Sequence, residues 1–100
     1  MRLAPAVAAA LATGRAVVAL ETSIVAQGLP APRNLEAALA CEAAIRAAGA
    51  EPASIALLDG ELRAGLEPDE LERLALAGSR AAKLSSRDLG PALAAGGSGA

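Results

Sequence analysis

One hundred residues, 54% hydrophobic and with a formal net charge of −2, describe one folded domain and exclude a chain disordered by composition. With 9 basic residues against 11 acidic ones and no Phe, Tyr or Trp, the chain offers a nucleic-acid polymer neither a basic patch nor a stacking platform. Cys41 is the single cysteine, which excludes an internal disulfide and fits a reducing compartment.

The apolar set is mostly alanine, with leucine and valine. Aromatic side chains bury the largest areas, so a core without them relies on many small contacts. A domain of this length buries only roughly two-thirds of its unfolded surface, and marginal stability is expected of the chain alone. Residues 1–13 (MRLAPAVAAALAT) have the positive start and small apolar run of a signal peptide, but alanine makes a poor hydrophobic region and Pro5 interrupts it. No stretch approaches the roughly 20 strongly apolar residues of a membrane span. The expectation is a cytoplasmic protein with no membrane partner.

Pro5 to Thr13 reads as a short helix stopped by Gly14. Ala16 to Leu20 is a valine-rich apolar run expected to form a strand covered on both faces. Glu21 to Arg33 contains Gly28, Pro30 and Pro32 and reads as a long loop. Asn34 is then a good N-cap for a helix over Leu35–Ala48, closed by Gly49, with Leu35, Leu39 and Ile45 as its apolar stripe and Cys41 as a small buried hydrophobe. Ser54 to Leu58 is the second strand; Asp59-Gly60 turns it into a hairpin with Glu61 to Ala64.

Pro68, Asp69 and Glu70 open a helix running to about Ala77. Ala81 to Leu84 reads as a weak third strand. Ser85 and Ser86 offer N-caps to a last helix that starts near Arg87 or Asp88 and takes Pro91 in its first turn. Gly96, Gly97 and Gly99 leave residues 96–100 without expected packing. Strands and helices alternating in this way predict an α/β fold, a mixed or mostly parallel sheet flanked by helices.

Glu21, Thr22 and Ser23 fall at the carboxyl end of the first strand, where open α/β sheets bind ligands. Lys83 lies on the third strand or its exit, followed by Ser85, Ser86 and Arg87. Were strands one and three neighbours, a carboxylate, an ammonium and several hydroxyls would meet at one edge. A solvated glutamate and a surface lysine fit the same spacing, so the residues alone leave both readings open. The GGSGA ending lacks the Gly-Lys-Ser/Thr of a nucleotide-binding loop.

Three longer stretches carry a resemblance: VVALETSIVAQGLPAPRN, GAEPASIALLDGELRAGL and KLSSRDLGPALAAGGSGA. In this order they resemble the N-terminal part of the pseudouridine-5′-phosphate glycosidase family, also called indigoidine synthase A-like. The resemblance implies that residues 1–100 are the N-terminal portion of a single larger α/β/α domain. It implies reversible cleavage of the C–C glycosidic bond of pseudouridine 5′-phosphate to uracil and ribose 5-phosphate, so the partner is a small nucleotide. Glu21 would be the catalytic acid/base and Lys83 a substrate contact.

The resemblance also implies a manganese ion and a homotrimer, with the Schiff-base lysine and the metal-binding aspartate outside these residues. The chain is therefore expected to be inactive alone. Two departures stand out: Thr22-Ser23 replaces the family's usual Ser-Thr, and Gln27 replaces a frequent histidine. The alternative is a non-catalytic α/β module that binds a phosphorylated ligand or a partner chain.

Overall fold

Asp59 and Gly60 both take positive φ, 50° and 76°, the pair of values a two-residue primed hairpin turn requires. In the computed structural model, which describes Met1–Ala100, this turn joins β3 (Glu51–Leu58) to β4 (Glu61–Ala64) with Leu58 opposite Glu61 and Ile55 opposite Ala64. Gly60 cannot carry a side chain, because a Cβ there would strike the backbone of Gly96. The remaining elements are β1 (Arg2–Leu3), α1 (Pro5–Ala12), β2 (Val17–Leu20), a π-helical turn (Ile24–Gly28), α2 (Arg33–Ala47), α3 (Pro68–Ala77), a short 3-10 turn (Gly78–Arg80) and α4 (Ser86–Ala94).

The sheet has the order β1-β4-β3-β2. β1 runs parallel to β4 and β2 parallel to β3, while β3 and β4 are antiparallel, so the sheet is mixed. β3 is one of the two inner strands, and every residue of it except Ile55 is buried. Its first half pairs with β2, from Val17 opposite Glu51 to Leu20 opposite Ser54.

α3 has the predicted bounds. Glu67 and Glu70 form its capping box, with the Glu70 carboxylate accepting the Glu67 amide at 2.9 Å. The helix turns Leu71, Leu74 and Ala75 onto Leu58, Val25 and Ala38, and this aliphatic cluster is the main core. A smaller one joins Ala4, Val7 and Ala53.

Several expectations are corrected. β2 is not covered on both faces: it is the terminal strand, only Val17 packs on the smaller cluster, and Val18 is 40% exposed. The stretch after it is not all loop, since Ile24–Gly28 forms the π-helical turn. α2 begins at Arg33 and buries Asn34, Ala38 and Glu42, spaced by four; of the expected Leu35, Leu39 and Ile45 stripe, Leu35 packs on the main core and Ile45 is half-buried. Leu39 is accordingly 46% exposed, and Cys41, beside this narrow stripe, is exposed rather than buried. Glu42 tolerates burial because the Ser54 hydroxyl donates to it at 2.7 Å and Arg46 stands 3.7 Å away.

Pro91 falls inside α4, not in its first turn. The helix forgoes one backbone bond there and has no buried residues, so the freed carbonyl can turn to water. The tail is packed: Gly99 is buried and exchanges backbone bonds with Leu57 at 2.8 and 3.0 Å. The expected third strand shrinks to one bridge, Ala82 to Gly99.

Candidate active site

β2 stops at Leu20, where its ladder with Ser54 ends. The side chain of Thr22, 3% exposed, continues the attachment by donating its hydroxyl to the Ile55 carbonyl at 2.5 Å. The Thr22 carbonyl then accepts the Val25 and Ala26 amides at 3.0 and 3.2 Å, which starts the π-helical turn and swings the chain off the sheet. Glu21 is left at the strand's carboxyl end, exposed, with its carboxylate accepting the Ser23 hydroxyl at 2.6 Å.

Glu21 stands on the rim of a concavity of about 230 Å³. Ile55 and Leu57 of β3 form an aliphatic floor, Leu84, Ser85, Ser86 and Leu89 one wall, and Gly99 and Ala100 another. An apolar cleft with a few polar groups at its edge is the ordinary make-up of a small-molecule site.

Lys83 is exposed, pairs with no acidic group, and is not itself a lining residue; the adjacent Leu84 is. The first strand and residues 81–84 are not neighbours. The tail occupies the slot along β3 beyond β2, and Gly99 lies between Leu57 and Ala82. Ser85 and Ser86 thus reach the concavity of Glu21, whereas Lys83 lies one residue outside its lining.

The amino end of α4 is already served. Asp88 accepts the Ser85 amide at 2.9 Å and the Ser85 hydroxyl at 2.7 Å. The Ser85 hydroxyl bond, foremost, holds the Asp88 carboxyl below the usual carboxylate range.

A larger groove of about 620 Å³ runs along α3 beside Arg73, Leu76, Arg80 and Ser98. Arg73 grips Asp59 through two bonds of 2.5 and 2.7 Å, which keeps the Asp59 carboxyl below its ordinary value. The groove holds neither Glu21 nor Lys83, and its best-placed arginine is satisfied. Of the two, only the smaller concavity is lined by Glu21.

Two residues outside the lining of the concavity brace the segments around it. Gln27 donates its amide to the Ala81 carbonyl at 2.9 Å, joining the segment after Glu21 to the one before Lys83. Asn34, 1% exposed, donates to the carbonyls of Val25 at 3.0 Å and Ala75 at 2.9 Å. Asn34 reads as a cap because asparagine favours that place; only the assembled fold shows two orphan carbonyls within its reach. No group of three His, Cys, Asp or Glu side chains in the chain is arranged to hold a metal ion. No helix is long and apolar enough to cross a membrane.

Known proteins agree with this architecture. The chain is 57% identical over 96 residues to the pseudouridine-5′-phosphate glycosidase of Rhodospirillum centenum, covering 96% of this chain and 29% of that protein. It is also 57% identical over 99 residues to the enzyme of that name from Streptomyces griseus, covering 98% and 30%. Among solved structures it superposes on the prealnumycin C-glycosynthase AlnA in complex with ribulose 5-phosphate, with a TM-score of 0.82 and 41% identity over 99% of this chain and 31% of the other. An indigoidine synthase A-like protein from Thermotoga maritima gives 0.78 and 30%, over 86% and 29%. The chain spans about a third of the length of the curated relatives it matches, between 28% and 32%. The family model described as indigoidine synthase A like protein matches residues 6–100, and the chain belongs to that family.

Proposed function

We propose that these residues form the N-terminal part of a domain that cleaves, reversibly, the C–C glycosidic bond of pseudouridine 5′-phosphate, yielding uracil and ribose 5-phosphate. The reading is supported by the names of the relatives and by the ribulose 5-phosphate, a phosphosugar, held by a solved relative. The observation that carries it in this chain is the carboxylate of Glu21 on the rim of a concavity floored by apolar β3 residues.

Ordinary glycosidases protonate a leaving oxygen with one of two carboxylates, but a C-glycoside has no such oxygen. When the bond between the sugar C1′ and the uracil C5 breaks, the electron pair left on C5 must collect a proton, and water supplies the hydroxyl that C1′ gains. Glu21 is the group that moves the proton, and general acid–base help of this kind is worth about 10²- to 10⁴-fold. Ser23 holds its carboxylate in place. Lys83, the only lysine of the chain, meets the phosphate or a sugar hydroxyl as a mobile point charge.

This assignment leaves the chain without a Schiff-base lysine, so it is proposed to be inactive alone; on the resemblance, the full domain is a cytoplasmic homo-oligomer, a homotrimer. The manganese that the resemblance implies finds no ligand set among these residues.

The test is a full-length Rhodospirillum centenum enzyme carrying these 100 residues in place of its matching segment. It should release uracil from pseudouridine 5′-phosphate. Glu21→Gln should abolish release while ribose 5-phosphate still binds. Turnover retained by that variant removes Glu21 from the chemistry.

A further inference from the structure

Gln27 leaves the structure an unusual account to balance. Its Nε2 donates to the Ala81 carbonyl at 2.9 Å, while its Oε1 is buried with no hydrogen-bond partner. A buried acceptor left unmade costs about 1–3 kcal/mol, and an apolar side chain of the same length would avoid that cost. What an apolar side chain would lose is the donor to Ala81.

That donor adds a hydrogen bond between two segments that otherwise meet through apolar packing, Val25 and Ala26 lying with Ala81 in the main core cluster. Gln27 sits near the end of the π-helical turn whose first bonds start from Thr22, the residue after Glu21. Ala81 is two residues before Lys83, on a segment held from its other side by the tail, through Ala82 to Ser98 at 3.2 Å and Leu84 to Ala100 at 2.8 Å.

We infer that Gln27 is a positioning residue: its amide fixes the Lys83 segment against the Glu21 segment and so sets where the substrate group that meets Lys83, phosphate or sugar hydroxyl, is held relative to the proton shuttle. The inference rests on the roles given above to Glu21 and Lys83. It assigns no proton transfer to position 27, because an amide does not titrate. What the position contributes is an N–H.

The experiment uses the same full-length graft. Gln27→Glu keeps the shape and removes the donor; Gln27→Met keeps the length and removes both polar atoms. In each, KM for pseudouridine 5′-phosphate should rise about tenfold, the equivalent of one lost hydrogen bond, with kcat within about twofold of the parent. The amides of Ala82 and Leu84 should exchange with solvent faster than in the parent, while those of the β3–β4 hairpin stay unchanged.

Parent-like KM with parent-like exchange at 82 and 84 overturns the inference, as does a fall in kcat at constant KM. If one variant fails to fold, the other carries the comparison; unfolding of both makes Gln27 a stability residue only and also overturns it. The failure of the underlying reading looks different. An inactive graft, or a Lys83→Gln variant with the parent's KM, removes the function or the lysine's role, and the exchange measurement then decides alone whether Gln27 holds the segment.

Discussion

Asn34 donates to the carbonyl of Ala75, 41 residues further along the chain, at 2.9 Å, from a side chain that is 1% exposed. The same amide nitrogen donates to Val25 at 3.0 Å, so one residue at the start of α2 ties the π-helical turn to α3. Both partners are main-chain carbonyls, which remain in place when the side chain is changed. Asn34→Leu therefore leaves two buried acceptors unmade and should destabilise the chain by about 2–4 kcal/mol. Asn34→Asp should be at least as harmful, since a carboxylate brings no donor and a buried charge. Urea unfolding of the parent and both variants checks this; a midpoint unchanged by Asn34→Leu would show that water replaces the amide.

That bond also shows where sequence reasoning stopped. The β3–β4 hairpin was legible because Asp59-Gly60 can take positive φ at both positions, and α3 because Pro68, Asp69 and Glu70 mark its first turn. Those signals are local. The edge position of β2, the inward face of α2 and the packed tail are not local, since each depends on which distant backbone arrives beside it. Alanine blurs the pattern further: Ala38 is inward and Ala40 outward on one helix, and composition alone does not separate them. Of the site, the position of Glu21 at a strand's carboxyl end was legible. The neighbour that flanks it was not, because glycines 96, 97 and 99 carry no side-chain pattern from which a strand could be read.

Gly99 is where that hidden neighbour is most exposed to a test. A Cβ on it would run into the Ala82 carbonyl oxygen and the Leu84 side chain, one a fixed backbone atom. Gly99→Ala should therefore push the tail off β3, breaking the bonds between Gly99 and Leu57 and opening the wall made by Gly99 and Ala100. A loss of about 1–3 kcal/mol is expected, the usual range for overpacking. Loss of amide-exchange protection at Leu57 and Leu84, with the Glu61–Ala64 strand still protected, is the pattern to look for.

Acid should weaken the fold through two surface carboxyls. Asp59 is held below its ordinary value chiefly by the Arg73 hydrogen bond, and Asp88 chiefly by that of Ser85. Each gives up its proton more readily in the folded state than in the unfolded one, whose carboxyls titrate near about pH 3.9. As pH falls, the unfolded state therefore takes up protons first. The stabilisation is whole above about pH 4 and drains away as pH drops through the folded-state values. Melting temperatures measured across that window should fall less steeply for Asp59→Asn and Asp88→Asn than for the parent. Equal slopes would assign the acid sensitivity to other groups.

Thr22 is the first anchor after the candidate acid, and its hydroxyl reaches the Ile55 carbonyl where the β2–β3 ladder has already ended. A side chain thus does what the next main-chain bond would have done, which frees the backbone to turn away and leave Glu21 at the rim. Thr22→Val keeps the volume and deletes the donor. It should cost about 1–3 kcal/mol from the unmade Ile55 carbonyl, and in the full-length graft it should lower kcat by about tenfold or more, because small displacements of a reacting group are expensive. Thr22→Ser restores the donor and should recover most of kcat while giving up some packing. A valine variant with parental kcat would mean that Glu21 is held by Ser23 and the β2 ladder alone.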